Sequence, residues 1–280
     1  MNGPDAQQVA AQVAQALAED VGSGDLTASL VPPDAPVEAR VISRQSAVLC
    51  GRDWFDEVCR QVDPALHLSW SCEEGADLYD GAEVCRVRGQ ARSLLTAERT
   101  ALNFLQTLSG TATRAAQYVR AVGGTGARIL DTRKTVPGLR QAQKYAVACG
   151  GASNHRIGLY DAILIKENHI AAAGSVSAAL REAGQVAASA GGVEVEIEVE
   201  DLQQLQEALA SGARRVLLDN FSIDQLRRAV ELNAGKARLE ASGGVSLETI
   251  RKIAETGVDD ISVGDITKDV RSVDFSMRFL

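Results

Sequence analysis

The sequence predicts an α/β protein in which a small N-terminal α+β domain precedes a β/α barrel, closed or incomplete. Three observations carry this prediction. From residue 36 to about 95 the pattern is β-like and broken, with short apolar runs separated by turn residues. From 96 to 122 apolar residues recur at helical spacing. Beyond that, short apolar β segments alternate with helical ones, and from Val195 onward they recur roughly every 21 to 23 residues, about one strand-plus-helix unit. No GxGxxG follows the first of these strands, so a doubly wound dinucleotide-binding sheet is the weaker reading. The expected division is an N-terminal α+β sandwich domain over 1–107 and an open α/β barrel over 108–267, with the tail 268–280 packing on the first domain.

In chain order, "PDAQQVAAQVAQALAED" places Val9, Val13, Ala16 and Leu17 on one helical stripe, and "VGSGDLT" after it is loop chemistry. The segments "VEARVIS", "AVLCG", "HLSWSCE" and "AEVCRVRG" read as strands, with "DWFDEVCRQV" as a helix among them. "TAERTALNFLQTLSGTATRAAQYVRAV" reads as a helix around Ala101, Leu102, Leu105 and Leu108, bent at Gly110 and bridging the two domains. The barrel strands are "RIL", "AILI", "VEVEIEV", "RRVLL", "ARLEA" and "DDISV". Between the later ones, "DLQQLQEALASG", "SIDQLRRAVEL" and "SLETIRKIAETG" each open on a capping residue, and two of them close on Gly.

Composition narrows the function. The 280 residues carry a net charge of −8 and only 4% aromatics, which disfavours contacts along a phosphate backbone and stacking on bases. The five cysteines are odd in number and show neither CxxC nor Cys/His ligand spacing, so they read as reduced packing thiols. No apolar run approaches the ~18 residues of a membrane helix, and the N-terminus lacks a basic region followed by an apolar one. A cytoplasmic globular protein, with neither nucleic acid nor membrane as partner, is the simplest expectation.

In β/α barrels the chemistry sits where strands end, because the following loops converge on one mouth. The strand ends here give Arg133 and Lys134, then Lys166, Glu198, Asp219, Ser242 with Gly243, and Gly264. His155 and Arg156 join them from the loop "GGASNHRIG". Cations this dense repel one another unless a polyanion binds, and Arg forks suit carboxylate or phosphate oxygens. Arg99, placed by this reading in the first turn of a helix, is either a further ligand cation or the ion-pair partner of Glu98 or Glu57. Glu198 and Asp219 either hold a Mg²⁺ that bridges phosphates, directly or through water, or neutralise the cations. Glu194, Glu196 and Glu198 alternate along one strand and share a face, so at least one should meet a polar interior. The glycines after the last two strands sit where barrels bind phosphate through backbone N–H groups.

These motifs, "DTRKT", "NHRIGLYDAILIKENHI", "VEIEVE", "LLDNFS", "LEASGG" and "ISVGDITK", with "GDLT" and "ERTALNFLQ" upstream, resemble the quinolinate phosphoribosyltransferase family, from near Asp25 to Phe279 and in the family's order. The resemblance implies that quinolinate and phosphoribosyl pyrophosphate give nicotinate mononucleotide, pyrophosphate and CO₂, with Mg²⁺ and no organic cofactor. It implies a homodimer or higher oligomer with shared active sites. In it Arg99 reaches the neighbour's quinolinate pocket, which Arg133, His155, Arg156 and Lys166 line. Lys134 lies between the two substrates. Glu198 and Asp219 face the ribose and metal-pyrophosphate, and Ser242, Gly243 and Gly264 hold the 5′-phosphate. One departure is Asp265, where the family carries a small or apolar residue. The expectation is that it points away from the phosphate and caps a helix. Two other readings stand beside this one: a pyrophosphorylase of the same fold acting on another acid, and a non-catalytic sensor of phosphoribosyl pyrophosphate.

Overall fold

The computed structural model describes residues 3–280. The chain forms two compact units, the first made of Met1–Ala116, Thr135–Gly151 and Thr267–Leu280 and the second of Gln117–Lys134 and Ala152–Ile266. Among the described residues no helix is long and apolar enough to cross a membrane.

The first unit opens with α1 (Ala6–Val21), capped by the Asp5 carboxylate on the Gln7 N–H and burying Val9 and Val13. Strands β1 (Pro36–Ser43) and β2 (Ala47–Val48) precede α2 (Arg52–Val62), followed by β3 (His67–Trp70), β4 (Asp77–Leu78) and β5 (Glu83–Gln90). A four-stranded sheet takes the order β12-β1-β5-β3, in which β12 (Phe275–Phe279) returns from the C-terminus to pair antiparallel with β1. Trp54 of α2 is fully buried and donates its indole N–H to Gln12 of α1 at 2.8 Å, so its polar tip is satisfied inside an apolar core. The two-residue β4, paired with β2, carries no periodicity that sequence could reveal.

Helix α3 (Ala91–Ala121) begins directly after β5, five residues earlier than its apolar spacing suggests, and runs unbroken. The helix continues through Gly110. A Cβ there would stand 2.2 Å from the Arg271 carbonyl oxygen, so the glycine is needed because another backbone passes against it. The earlier start also moves Arg99 out of the first turn and removes the dipole argument for it.

The second unit is a six-stranded parallel sheet built from β6 (Arg128–Leu130), β7 (Ala162–Ile165), β8 (Glu194–Val199), β9 (Arg215–Asp219), β10 (Arg238–Ser242) and β11 (Asp260–Ser262). The order β6-β11-β10-β9-β8-β7 leaves β6 and β7 as unpaired edges, so the barrel is open, with a single bridge from Leu130 to Ser153. The intervening helices are α4 (Arg140–Cys149), α5 (Glu167–Ala173), α6 (Val176–Ser189), α7 (Leu202–Ala210), α8 (Ile223–Asn233) and α9 (Ile250–Ala254). The short α10 (Asp265–Lys268) follows β11. Asp201 and Ser222 cap α7 and α8 as their sequences indicate. The third of those segments is helical for only five residues, because Ser246 to Thr249 first form a hydrogen-bonded turn.

Residues 135–151, counted with the barrel on sequence grounds, belong instead to the first unit. Ala142 and Ala146 of α4 sit in that unit's apolar cluster, Tyr145 packs on Trp54, and Gln143 donates to the Thr267 carbonyl oxygen at 2.9 Å.

Candidate active site

Every strand of the open barrel ends near one cavity of about 660 Å³. From β6 come Thr132, Arg133 and Lys134, from β7 Lys166, and from β8 Glu198. Asp219 and Asn220 follow β9, and Ser242, Gly243 and Gly244 follow β10. His155 and Arg156 enter from the loop before β7. The cation cluster expected from sequence is therefore assembled in space. Arg99 is exposed on α3 and does not line this cavity, and the Glu57 carboxylate once available to it is held by Arg60 and Gln61.

The loop that delivers His155 and Arg156 is fixed by two carboxylates. Fully buried Asp131 accepts the His155 N–H at 2.7 Å, and Asp161 accepts the Ile157 and Gly158 N–H groups. The Arg156 guanidinium is held below its ordinary pKa first by burial and then by the charge of Arg133, so the cations do repel one another across the cavity. Lys166 meets Glu198 at 2.7 Å. Lys134 lies across Gly264, where a Cβ would approach its Cδ to 3.2 Å, so the absence of a side chain at Gly264 makes room for the lysine stem.

Below the mouth the polar interior foreseen from "VEVEIEVE" is present. Glu196 is 4% exposed and Glu240 1%. The His155 Nδ1 accepts the Arg156 N–H at 2.7 Å, which leaves Nε2 to carry the proton toward Glu196 Oε2 at 3.0 Å and Glu240 Oε2 at 3.6 Å. Both ring nitrogens are thus engaged by the protein, and His155 offers the cavity its ring. Burial opposes ionisation of Glu196, but the His155 N–H and the Arg215 charge outweigh it and hold that carboxyl below its ordinary value. Burial and the neighbouring Glu196 charge push Glu240 up to about 7. Further down, Asp260 is clamped by Arg238 and Arg128.

Sequence reasoning singled out neither Asp131, Glu240 nor Arg215. For Glu240 a signal existed, a carboxylate inside the apolar run "ARLEA" of a strand buried on both faces. Asp131 gave none beyond its place before Arg133. The phosphate-side residues are placed as follows. Gly243 has φ +95° and Gly244 φ +59°, while Ser242 accepts the Asn220 N–H at 2.9 Å. Asp265 opens α10, and its Oδ2 accepts the Tyr118 hydroxyl at 2.7 Å.

Two family models cover the chain: "Quinolinate phosphoribosyl transferase, C-terminal domain" matches residues 111–278 and the corresponding N-terminal domain matches 25–109. The chain is 44% identical to the nicotinate-nucleotide pyrophosphorylase [carboxylating] of Mycobacterium leprae over 274 residues, covering 95% of each chain. It is 41% identical to the probable nicotinate-nucleotide pyrophosphorylase [carboxylating] of Bacillus subtilis over 263 residues, 92% of this chain and 89% of that one. The solved nicotinate-nucleotide pyrophosphorylase from Francisella tularensis superposes with a TM-score of 0.96 at 44% identity, covering 100% of this chain and 98% of that one.

Proposed function

The chain belongs to the quinolinate phosphoribosyltransferase family, and from that premise we propose how its own residues perform the reaction. The enzyme transfers the phosphoribosyl group of phosphoribosyl pyrophosphate to the ring nitrogen of quinolinate with loss of the 2-carboxylate. The products are nicotinate mononucleotide, pyrophosphate and CO₂, a step of NAD biosynthesis. The observation that carries the assignment of roles is the gathering of Arg133, Lys134, Arg156 and Lys166 at one mouth with Glu198 and Asp219.

In this reading Arg133 and Arg156, whose charges repel when the cavity is empty, hold the two carboxylates of quinolinate with Lys166, and His155 provides a flat wall beside the ring. One cation would satisfy a monoacid such as nicotinate. Several confined cations suit a dianion better, which disfavours the reading of a pyrophosphorylase acting on a different acid. Phosphoribosyl pyrophosphate lies across the cavity, its 5′-phosphate against the Ser242 to Gly244 turn and Gly264, where bare backbone permits close approach. As the bond to pyrophosphate breaks, positive charge grows on the ribose carbon and negative charge on the leaving group. Glu198, kept in place by Lys166, stabilises the first, and Lys134 the second. A sensor without turnover would need neither.

Mg²⁺ fits the donor set. Glu198 and Asp219 offer carboxylate oxygens from adjacent strands lining one cavity, and Mg²⁺ characteristically takes one or two carboxylates, water and substrate phosphates. When bound it would neutralise pyrophosphate charge. We further propose a homodimer in which Arg99, exposed and not among the residues lining the cavity of its own chain, serves the site of the second copy. A cytoplasmic place of action is proposed with it, on cysteines that lack disulfide or metal-ligand spacing.

The test is incubation of the purified protein with phosphoribosyl pyrophosphate, Mg²⁺ and either quinolinate or nicotinate, assaying mononucleotide and CO₂ together. Equal amounts of both products from quinolinate alone are expected. Mononucleotide formed from nicotinate, or without matching CO₂, would overturn the dianion pocket.

A further inference from the structure

Phosphoribosyl transfer accounts for the mouth of the cavity but not for its floor. After the ring nitrogen is alkylated, the bond from C2 to the carboxylate breaks and its electron pair stays on C2 beside the cationic nitrogen. Neutral CO₂ leaves, and C2 must then gain a proton. Arginine is not an acid at neutral pH, and the Lys166 ammonium is engaged with Glu198 at 2.7 Å.

We propose that Glu240 is the acid that protonates C2 once CO₂ has departed. Its side chain lines the active-site cavity, and its fully buried Oε1 meets no partner at hydrogen-bond geometry among the described residues, while Ser262 and Glu196 stand close enough to act on the carboxyl. A buried carboxyl oxygen without a partner is costly unless a ligand or the reaction uses it. The other oxygen faces the groups that would stabilise the carboxylate formed by proton loss. Arg215 Nη2 of β9 stands at 3.4 Å and His155 Nε2 at 3.6 Å.

The remaining charged neighbours set its protonation. Glu196 on β8 shares the His155 N–H and is held ionised, while Asp260, beside Glu240 on β11, is committed to Arg128 and Arg238. Burial and the Glu196 charge favour the neutral acid at Glu240, with a pKa of about 7. That state suits both halves of the reaction. A neutral Glu240 adds no repulsion toward an incoming dianion, and it still holds the proton needed after decarboxylation. The proton moves from the carboxyl to C2, forming a C–H bond and leaving carboxylate. Water restores it before the next turnover. A second cavity, of about 340 Å³, is lined by His155, Glu196 and Arg215, three of the groups that surround Glu240.

The inference rests on the quinolinate reaction, and the experiment separates the two. Native enzyme and Glu240→Gln are mixed with phosphoribosyl pyrophosphate, Mg²⁺ and quinolinate for a single turnover, quenched, and assayed separately for pyrophosphate and nicotinate mononucleotide. The expected result is that Glu240→Gln releases pyrophosphate near the native rate but forms nicotinate mononucleotide at least about tenfold more slowly, within the usual worth of a general acid. Quinolinate mononucleotide then accumulates, and Glu240→Asp recovers part of the second step. Both products slowing together, or neither slowing, would overturn the role. Native enzyme supplies a test that needs no variant to fold. Between about pH 6 and 8 the second step alone should lose rate as pH rises and the acid ionises, and an identical pH dependence of both steps would count against Glu240. No pyrophosphate from native enzyme would defeat the functional reading instead.

Discussion

Asp265 follows Gly264 at the opening of α10, and its surroundings show how the carboxylate is accommodated. Its carboxylate accepts the hydroxyl of Tyr118, a fully buried side chain on α3, at 2.7 Å, so the charge is committed to the protein. Replacing Asp265 by alanine should cost about 1.5–3 kcal/mol, the worth of a hydrogen bond to a charged group, measured by denaturant unfolding. The Michaelis constant for phosphoribosyl pyrophosphate should stay within about threefold of native, since no electrostatic contact to the phosphate is lost. A variant that bound this substrate more than about tenfold tighter would show that the carboxylate had been repelling the phosphate after all.

At the scale of elements, the turn after β10 is shaped by backbone rather than by side chains. Gly243 has φ +95°, and a Cβ on it would stand 2.1 Å from the Asn220 side-chain oxygen, so two prohibitions coincide at one residue. Asn220 itself has φ +57°, a conformation asparagine adopts more readily than most residues, and its N–H is held by Ser242. Gly243→Ala should therefore lower stability by about 1–3 kcal/mol and weaken phosphoribosyl pyrophosphate binding at least tenfold, while quinolinate binding measured alone stays near native. Equal loss of both affinities would mean that the barrel mouth as a whole had collapsed. Such turns were legible in sequence as "SGG", and the caps of α7 and α8 were legible too, because their signals are local. The lengths of α3 and α9 were not. Where α3 starts depends on the strand it follows, and where α9 starts depends on a turn whose hydrogen bonds tie Ser246 to Thr249. Glu196 showed itself through strand alternation. Glu240 stood alone in its apolar run, and only the neighbouring strands reveal that it meets His155 and Arg215.

For the whole molecule, the sequence rhythm made the six parallel strands and their single mouth predictable, because each strand-plus-helix unit repeats the same burial problem. It could not reveal that α4 joins the first unit, since Ala142 and Ala146 are buried by partners distant in sequence. Arg99 poses the remaining question at this scale. It is exposed on α3 and absent from the cavity lining, whereas Lys134 lines the cavity of the second unit. If two copies share sites, a subunit lacking Arg99 has a defective contribution to its neighbour but an intact Lys134 of its own, and a subunit lacking Lys134 has the reverse. A heterodimer of Arg99→Ala with Lys134→Ala then contains one site missing both residues and one site missing neither. Each variant alone should be at least about a hundredfold slower than native, the scale of losing one preorganised charge from a transition-state site. Mixing the two, with subunit exchange allowed, should restore activity toward one quarter of the native value. Half of randomly paired dimers are mixed, and each mixed dimer has one intact site of two. Activity that stays at the sum of the separate variants after exchange would place Arg99 outside the shared site and leave it as a surface cation of α3.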